Sequence, residues 1–189
     1  MKKRAVLLLM PGLLATQTAP APGLGALDQA NGFGGIPFGR LDTQVPGLVR
    51  EASGIGKRWR TTKLFRRPAD TLTLAGQSVH PMYWFRNHRF VGVNIDLPKA
   101  EGGRVQNYLH QQYGPPQPDP AVAGSAYWLG ARTYVLFEPV YPASKGWVLH
   151  IASLAMLNEQ VTETAVRQQA RATLGWQPDS LGLPPQFPR

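Results

Sequence analysis

The densest chemistry in this chain lies in eleven consecutive residues. Lys57, Arg58, Arg60, Lys63, Arg66 and Arg67 fall within residues 57–67 with no acid among them, and Trp59 and Phe65 are interleaved. Basic side chains set among aromatics suit an anionic surface such as phosphate-rich lipid, polysaccharide or nucleic acid. A solvated loop has the same composition, as does an edge strand whose cations block further pairing. A second cluster surrounds a tight turn. Tyr83, Phe85 and Phe90 flank the polar tip Arg86, Asn87, His88 and Arg89. Aromatics beside arginine on an open sheet face make a protein-binding surface, whereas under a second layer the same rings are core.

Catalytic patterns are absent from the sequence. There is no Gly-x-Ser-x-Gly or Ser-x-x-Lys motif, and with no cysteine there is no thiolate chemistry. Ser53 lacks the flanking glycines of a nucleophile elbow. Gly54-Ile55-Gly56-Lys57 lacks the spacing and the hydroxyl residue of a phosphate-cradling loop. His80, His88, His110 and His150 stand at no three- or four-residue spacing, so no metal site and no cofactor are expected. Asp96 and Glu138 sit at strand ends, where an acid and a base can meet; arginine or water is their more ordinary partner. A hydrolase therefore ranks behind a binding protein, and would need Asp96 or Glu138 brought to a histidine in a pocket.

The N-terminus reads as an export leader. Lys2, Lys3 and Arg4 precede an apolar run from Ala5 to Ala15, broken by Pro11 and Gly12. Cleavage is compatible with Ala15, Ala21 or Gly23, so residues 1–23 are assigned to the signal and 24–32 to an Ala/Pro/Gly linker. No run approaches the roughly 18 apolar residues of a membrane helix. The chain is expected in the periplasm or outside the cell. Removing Lys2, Lys3 and Arg4 leaves 17 bases against 11 acids, an excess equal to the charge of residues 57–67.

The remaining residues must position these groups. A single domain is expected over 33–175, with a Pro-rich tail at 176–189. A short helix capped by Asp42 or Thr43 would end at Gly54, with Val45, Leu48 and Val49 inward. The strand Thr71–Leu74 leads through Gly76 into a hairpin from Val79 to Leu97, turning at Asn87-His88. In that register Trp84 faces Val91, Met82 faces Val93 and His80 faces Ile95, while Phe85 pairs with Phe90 on the other side. Val105, Tyr108, Leu109 and Gln112 mark a helix stopped by Gly114-Pro115. Strands follow at Tyr127–Leu129, Thr133–Phe137 and Trp147–Ile151. A last helix, Met156 to Leu174, carries Leu157, Val161 and Ala165 as its apolar stripe. Successive strands without crossover helices imply an α+β fold, an antiparallel sheet with helices on one face. Residues 42–97 and 100–153 would be two α-β-β-β units of a repeat.

The pattern Gly35-Ile36-Pro37-Phe38-Gly39, then Arg67-Pro68-Ala69-Asp70-Thr71-Leu72-Thr73-Leu74-Ala75-Gly76, Phe85 to Val93 and Leu109-His110-Gln111-Gln112-Tyr113-Gly114 resembles small exported bacterial proteins of unknown function. The architecture is also similar to small envelope modules such as β-lactamase-inhibitor-like domains. These resemblances imply a fold and carry no catalytic residues. The expectation is an exported, non-enzymatic binding module of the bacterial envelope. Its partner would be an envelope protein or an anionic envelope component, with nucleic acid the least expected. A salt-sensitive binder of anionic polymers through residues 57–67 is the alternative.

Overall fold

Long-range pairing, more than local preference, decides this architecture. The computed structural model describes residues 19–20, 23–51, 62–118, 122–140 and 145–173. In chain order the elements are β1 (Ala19–Pro20), α1 (Leu24–Ala30), β2 (Gly32–Phe33), β3 (Ile36–Pro37), β4 (Val49–Arg50), β5 (Thr62–Arg66), β6 (Leu72–Leu74), β7 (Gln77–Val79), β8 (Met82–Arg86) and β9 (Arg89–Leu97). Then come α2 (Gly102–Tyr113), β10 (Gln117–Pro118), β11 (Ala126–Leu129), β12 (Thr133–Pro139), β13 (Trp147–Ser153) and α3 (Leu154–Thr173). The fold is α+β, built on an antiparallel sheet ordered β10-β11-β12-β13-β9-β8-β5-β4. Strands β4, β5, β8 and β9 form one meander followed by α2; β10 to β13 form another followed by α3. The meanders meet where β9 pairs with β13. Each therefore has four strands and a helix after them, where α-β-β-β units were expected.

Register sets which side chains are buried. Asn87 and His88 both take positive φ, the conformation of a two-residue hairpin turn, and Phe85 pairs with Phe90 as expected. The ladder then shifts between Trp84 and Phe85, so Trp84 faces Gly92, Tyr83 faces Val93 and Met82 faces Asn94. Val91 is the extra residue of this bulge. The expected pairings of Trp84 with Val91 and of Met82 with Val93 are thereby displaced by one. His80 lies outside β8 and meets the Asp70 carbonyl instead of Ile95.

The displacement gathers Tyr83, Phe85, Phe90, Val93 and Ile95 on one face with Ile151, Leu149, Val135 and Phe137. Val105 and Leu109 from α2, Leu27 from α1, and Phe33 and Ile36 from the β2–β3 hairpin belong to the same buried cluster. Burying each of these large side chains stabilises the fold by about 1.5–3 kcal/mol relative to exposure. The covering layer therefore lies over the Tyr83/Phe85 face, opposite to the face expected from an unbulged hairpin.

Two expected segments change character. Residues 24–32 form α1 and the start of β2 where a linker was expected. Leu27 is buried, and both Asp28 carboxylate oxygens accept backbone N–H groups of the β11–β12 turn, from Ala131 at 2.6 Å, Arg132 at 3.0 Å and Thr133 at 2.9 Å. Burial alone would raise the Asp28 pKa, but the amide bonds of Arg132, Ala131 and Thr133 outweigh it and hold the carboxyl below its usual value. The helix expected after Asp42 shrinks to a single 3-10 turn, Asp42–Gln44, and Val49 is an exposed strand residue. Residues 49–51 pair with β5 instead.

The remaining elements follow the sequence closely. Helix α2 buries Val105 and Leu109 and stops at Gly114, although Gln112 is exposed. Trp147, Leu149 and Ile151 share a face, and Trp147 stacks on Phe137 at 4.8 Å. Among the described side chains of α3, Met156 is buried and Leu157 half-buried, while Val161 and Ala165 of the expected stripe are exposed. Among the described residues no helix is long and apolar enough to cross a membrane.

Candidate functional site

The sequence candidates have three different fates. Lys57, Arg58, Trp59 and Arg60 lie outside the described residues. They belong to the connection between β4 and β5, whose ends are held together by pairing of Arg50 with Phe65. The other three bases of the run meet acids. Lys63 is 4.0 Å from Asp42, Arg66 is 2.9 Å from Glu51, and Arg67 is 3.0 Å from Asp70 and donates to the Gly34 carbonyl.

At the hairpin tip, His88 places Nδ1 2.9 Å from Asp42 and lies 3.4 Å from the Lys63 amine. Asp42 is half-buried with 9% of its side chain exposed, and Lys63 and His88 converge on its carboxylate and pin the 3-10 turn to the tip. Arg89 reaches Glu159 of α3 at 3.3 Å. Arg86 is half-buried.

Tyr83, Phe85 and Phe90 are corrected from surface to core. Their exposures are 1%, 0% and 0%, because α1, α2 and the β2–β3 hairpin cover that face. Rings so enclosed cannot meet a partner. The Tyr83 hydroxyl donates to Asp70, and its pKa is raised, first by burial and then by that carboxylate. Gly34 takes positive φ above it, and a Cβ there would lie 2.8 Å from the Tyr83 oxygen. That contact accounts for Gly34, just before the 35–39 pattern, as packing.

The second face of the sheet carries the accessible chemistry. Direct pairing aligns Arg66, Met82, Asn94, His150, Leu136, Tyr127 and Gln117 in one transverse row across seven strands. The neighbouring row is Leu64, Trp84, Gly92, Ala152, Tyr134 and Leu129. A third holds Asp96, Val148 and Glu138. Met82, Trp84, Asn94, Tyr127, Tyr134, Glu138 and His150 are half-buried, while Leu136, Val148 and Ala152 are buried between them. Gly92 is required here: a Cβ would lie 2.8 Å from Trp84 Nε1 and strike the Ile151 carbonyl.

At the centre, His150 joins three strands. Its Nδ1 is 2.8 Å from Asn94 Oδ1 and its Nε2 is 3.1 Å from Glu138 Oε1. Rotating the Asn94 amide by half a turn offers an N–H in place of the oxygen, and either arrangement occupies both ring nitrogens. The ring is therefore fixed in place and has no free nitrogen to take a proton from a nucleophile. Among the described residues no three His, Asp or Glu side chains gather to hold a metal.

The sequence named Glu138 or Asp96 beside a histidine in a pocket as what a hydrolase would need; Glu138 does meet His150, on the second sheet face, while Asn94 was not singled out. Only the β9–β13–β12 register brings them together. Compared with known proteins, the chain matches no family model, no curated protein and no solved structure.

Proposed function

We propose that this chain is an exported, non-enzymatic binding module of the bacterial envelope, and that it holds an envelope protein on the second face of its sheet. The observation that carries this reading is the transverse row through His150. Half-buried Met82 and Tyr127 stand on either side of an amide–imidazole–carboxylate set already locked by mutual hydrogen bonds. Such a mixture of apolar and pre-ordered polar groups loses little entropy on association and suits a protein partner. Asp96 and Glu138 share this face, which disfavours a polyanion there. The leader-like residues 1–23 support export. His150, with both nitrogens engaged, supports binding over general-base hydrolysis.

The alternative, an anionic envelope polymer held by the basic run, rests on Lys57, Arg58 and Arg60, since Lys63, Arg66 and Arg67 are ion-paired. One experiment separates the two. Tagged protein is incubated with an envelope fraction of the native host and washed at rising salt, beside a Met82→Glu/Tyr127→Glu variant and a Lys57→Glu/Arg58→Glu/Arg60→Glu variant. A single protein that survives high salt, is lost from the first variant and is kept by the second supports the reading. Salt-labile polymer lost only from the second variant overturns it in favour of the alternative.

A further inference from the structure

The polar set at the centre of the second face has a different arrangement of hydrogens for each charge of its ring. His150 places Nε2 3.1 Å from Glu138 Oε1 and Nδ1 2.8 Å from Asn94 Oδ1, a position that half a turn of the amide gives to Nδ2. A glutamate ordinarily loses its proton at lower pH than an imidazole, and an ionised carboxylate only accepts. Nε2 therefore carries the hydrogen that faces Glu138. In the neutral ring Nδ1 is then bare, and the Asn94 group that meets it has to be the N–H2. In the charged ring Nδ1 carries a hydrogen too, and the group that meets it has to be the oxygen. The amide turns over when the ring changes charge. Its other end, turned away from the ring, changes from acceptor to donor.

Among the described residues of this face, His150 is the one whose type ordinarily gains or loses a proton between about pH 5 and 8. Its side chain is 24% exposed, so protons reach it from solvent. Around the ring, β12 contributes Glu138, β9 contributes Asp96 on the same side as Asn94, and β11 and β12 contribute Tyr127 and Tyr134. Strand β8 offers Met82 and Trp84, which do not titrate, and β5 offers Arg66, held by Glu51 at 2.9 Å. From α3, Glu159 is turned to Arg89. The other three histidines lie elsewhere: His88 beside Asp42, His80 against the Asp70 carbonyl and His110 on α2.

We propose that the proton on His150 gates the second face by turning Asn94, whose oxygen is shown to a partner when the ring is neutral and whose N–H2 is shown when the ring is charged. With the ring neutral, the Asn94 oxygen and the exposed Asp96 carboxylate, two residues apart on β9, both accept. The partner group seated there is then a donor, a backbone N–H or the head of a lysine or arginine. With the ring charged, Asn94 donates and the partner's donor is left unpaired, so acid releases the partner. This inference rests on the reading that the second face holds an envelope protein, and adds to it the donor chemistry of the partner and the condition of its release.

The amide can be read without the partner. In full-length protein labelled with heavy nitrogen, ring-nitrogen spectra across about pH 5–8 report the charge and tautomer of His150. Coupling between Asn94 Nδ2 and His150 Nδ1 across an N–H···N bond reports the orientation of the amide. The expected result is a neutral ring with its hydrogen on Nε2 and the coupling present at the alkaline end, and a charged ring without the coupling at the acid end. A neutral ring with its hydrogen on Nδ1, or a coupling that does not change between the two ends, overturns the inference. Retention of protein from an envelope fraction of the native host is then compared at the same two ends. It should fall at least about tenfold in acid, the consequence of one donor left unpaired. The fall should vanish in Asn94→Asp, which can only accept from the ring, and in His150→Gln, which does not titrate. An equal fall in these variants places the titrating group on the partner and overturns the inference. Retention that is equal at both ends in the unaltered protein also overturns it and leaves the binding reading standing. No protein retained at either end, with the amide still turning, sinks the binding reading and leaves the amide switch.

Discussion

On the first face of the sheet the row Tyr83, Val93, Ile151, Val135 and Trp128 is buried at every position; on the second, the row Met82, Asn94, His150, Leu136 and Tyr127 is buried only at Leu136. The rows differ by one residue along each strand and by which face the covering layer occupies. Helices α1 and α2 and the β2–β3 hairpin belong to the cluster of the first face, which leaves the polar and aromatic groups of the second half in water. Aromatic content alone does not separate the faces, since Trp84, Tyr127 and Tyr134 lie on the second. The first face holds the fold together, and the second is the one proposed to bind.

The largest effect should come from the first face. Phe85→Ala removes a fully buried ring that packs edge-on to Phe65 at 5.2 Å and against Phe90 at 5.3 Å. It should cost about 3–5 kcal/mol, read as a lower urea midpoint. Next is the boundary between the faces. Gly92→Ala should cost about 1–3 kcal/mol, because the new methyl displaces the Trp84 indole and presses on the Ile151 carbonyl; a changed near-ultraviolet circular dichroism should accompany it. His150→Ala should cost about 1 kcal/mol, since water can replace the ring at Asn94 and Glu138. The smallest change should be Tyr127→Ala, within about 0.5 kcal/mol in stability yet lowering partner capture. If Tyr127→Ala proved as damaging as Phe85→Ala, the division between the faces would fail.

The latch of the covering layer gives a pH test. The Asp28 pKa is lowered in the folded protein, so its contribution is present above the unfolded value of about 3.9 and is lost as pH falls through the folded value. Asp28→Asn should therefore be less stable near neutrality and show a flatter loss of stability in acid. Equal acid slopes for the two proteins would mean that the amides of residues 131–133 do not hold the carboxylate.

What could be read in advance was local. The Asn87-His88 turn, the Gly114 stop of α2, and strands near 127–129, 133–137 and 147–151 follow from turn chemistry and period-two patterning within a few residues. Residues 24–30 were misread because their composition is that of a linker; their helix depends on Leu27 entering a core built by strands far along the chain, and on Asp28 meeting residues 131–133. The site was less legible than the fold. Lys63 and His88 were singled out, but their shared contact with Asp42 crosses three separate segments.

By itself the sequence determined the α+β class, the antiparallel pairing, most strands and two of the three helices, because alternation, helical spacing and glycine or asparagine turns act over a few residues. Tertiary structure alone decided which face became core. One extra residue, Val91, shifts the β8–β9 register, and with a side-chain period of two that single step moves Val93 and Ile95 to the side of Phe85 and Phe90 and turns Asn94 to the other, beside Trp84 and His150.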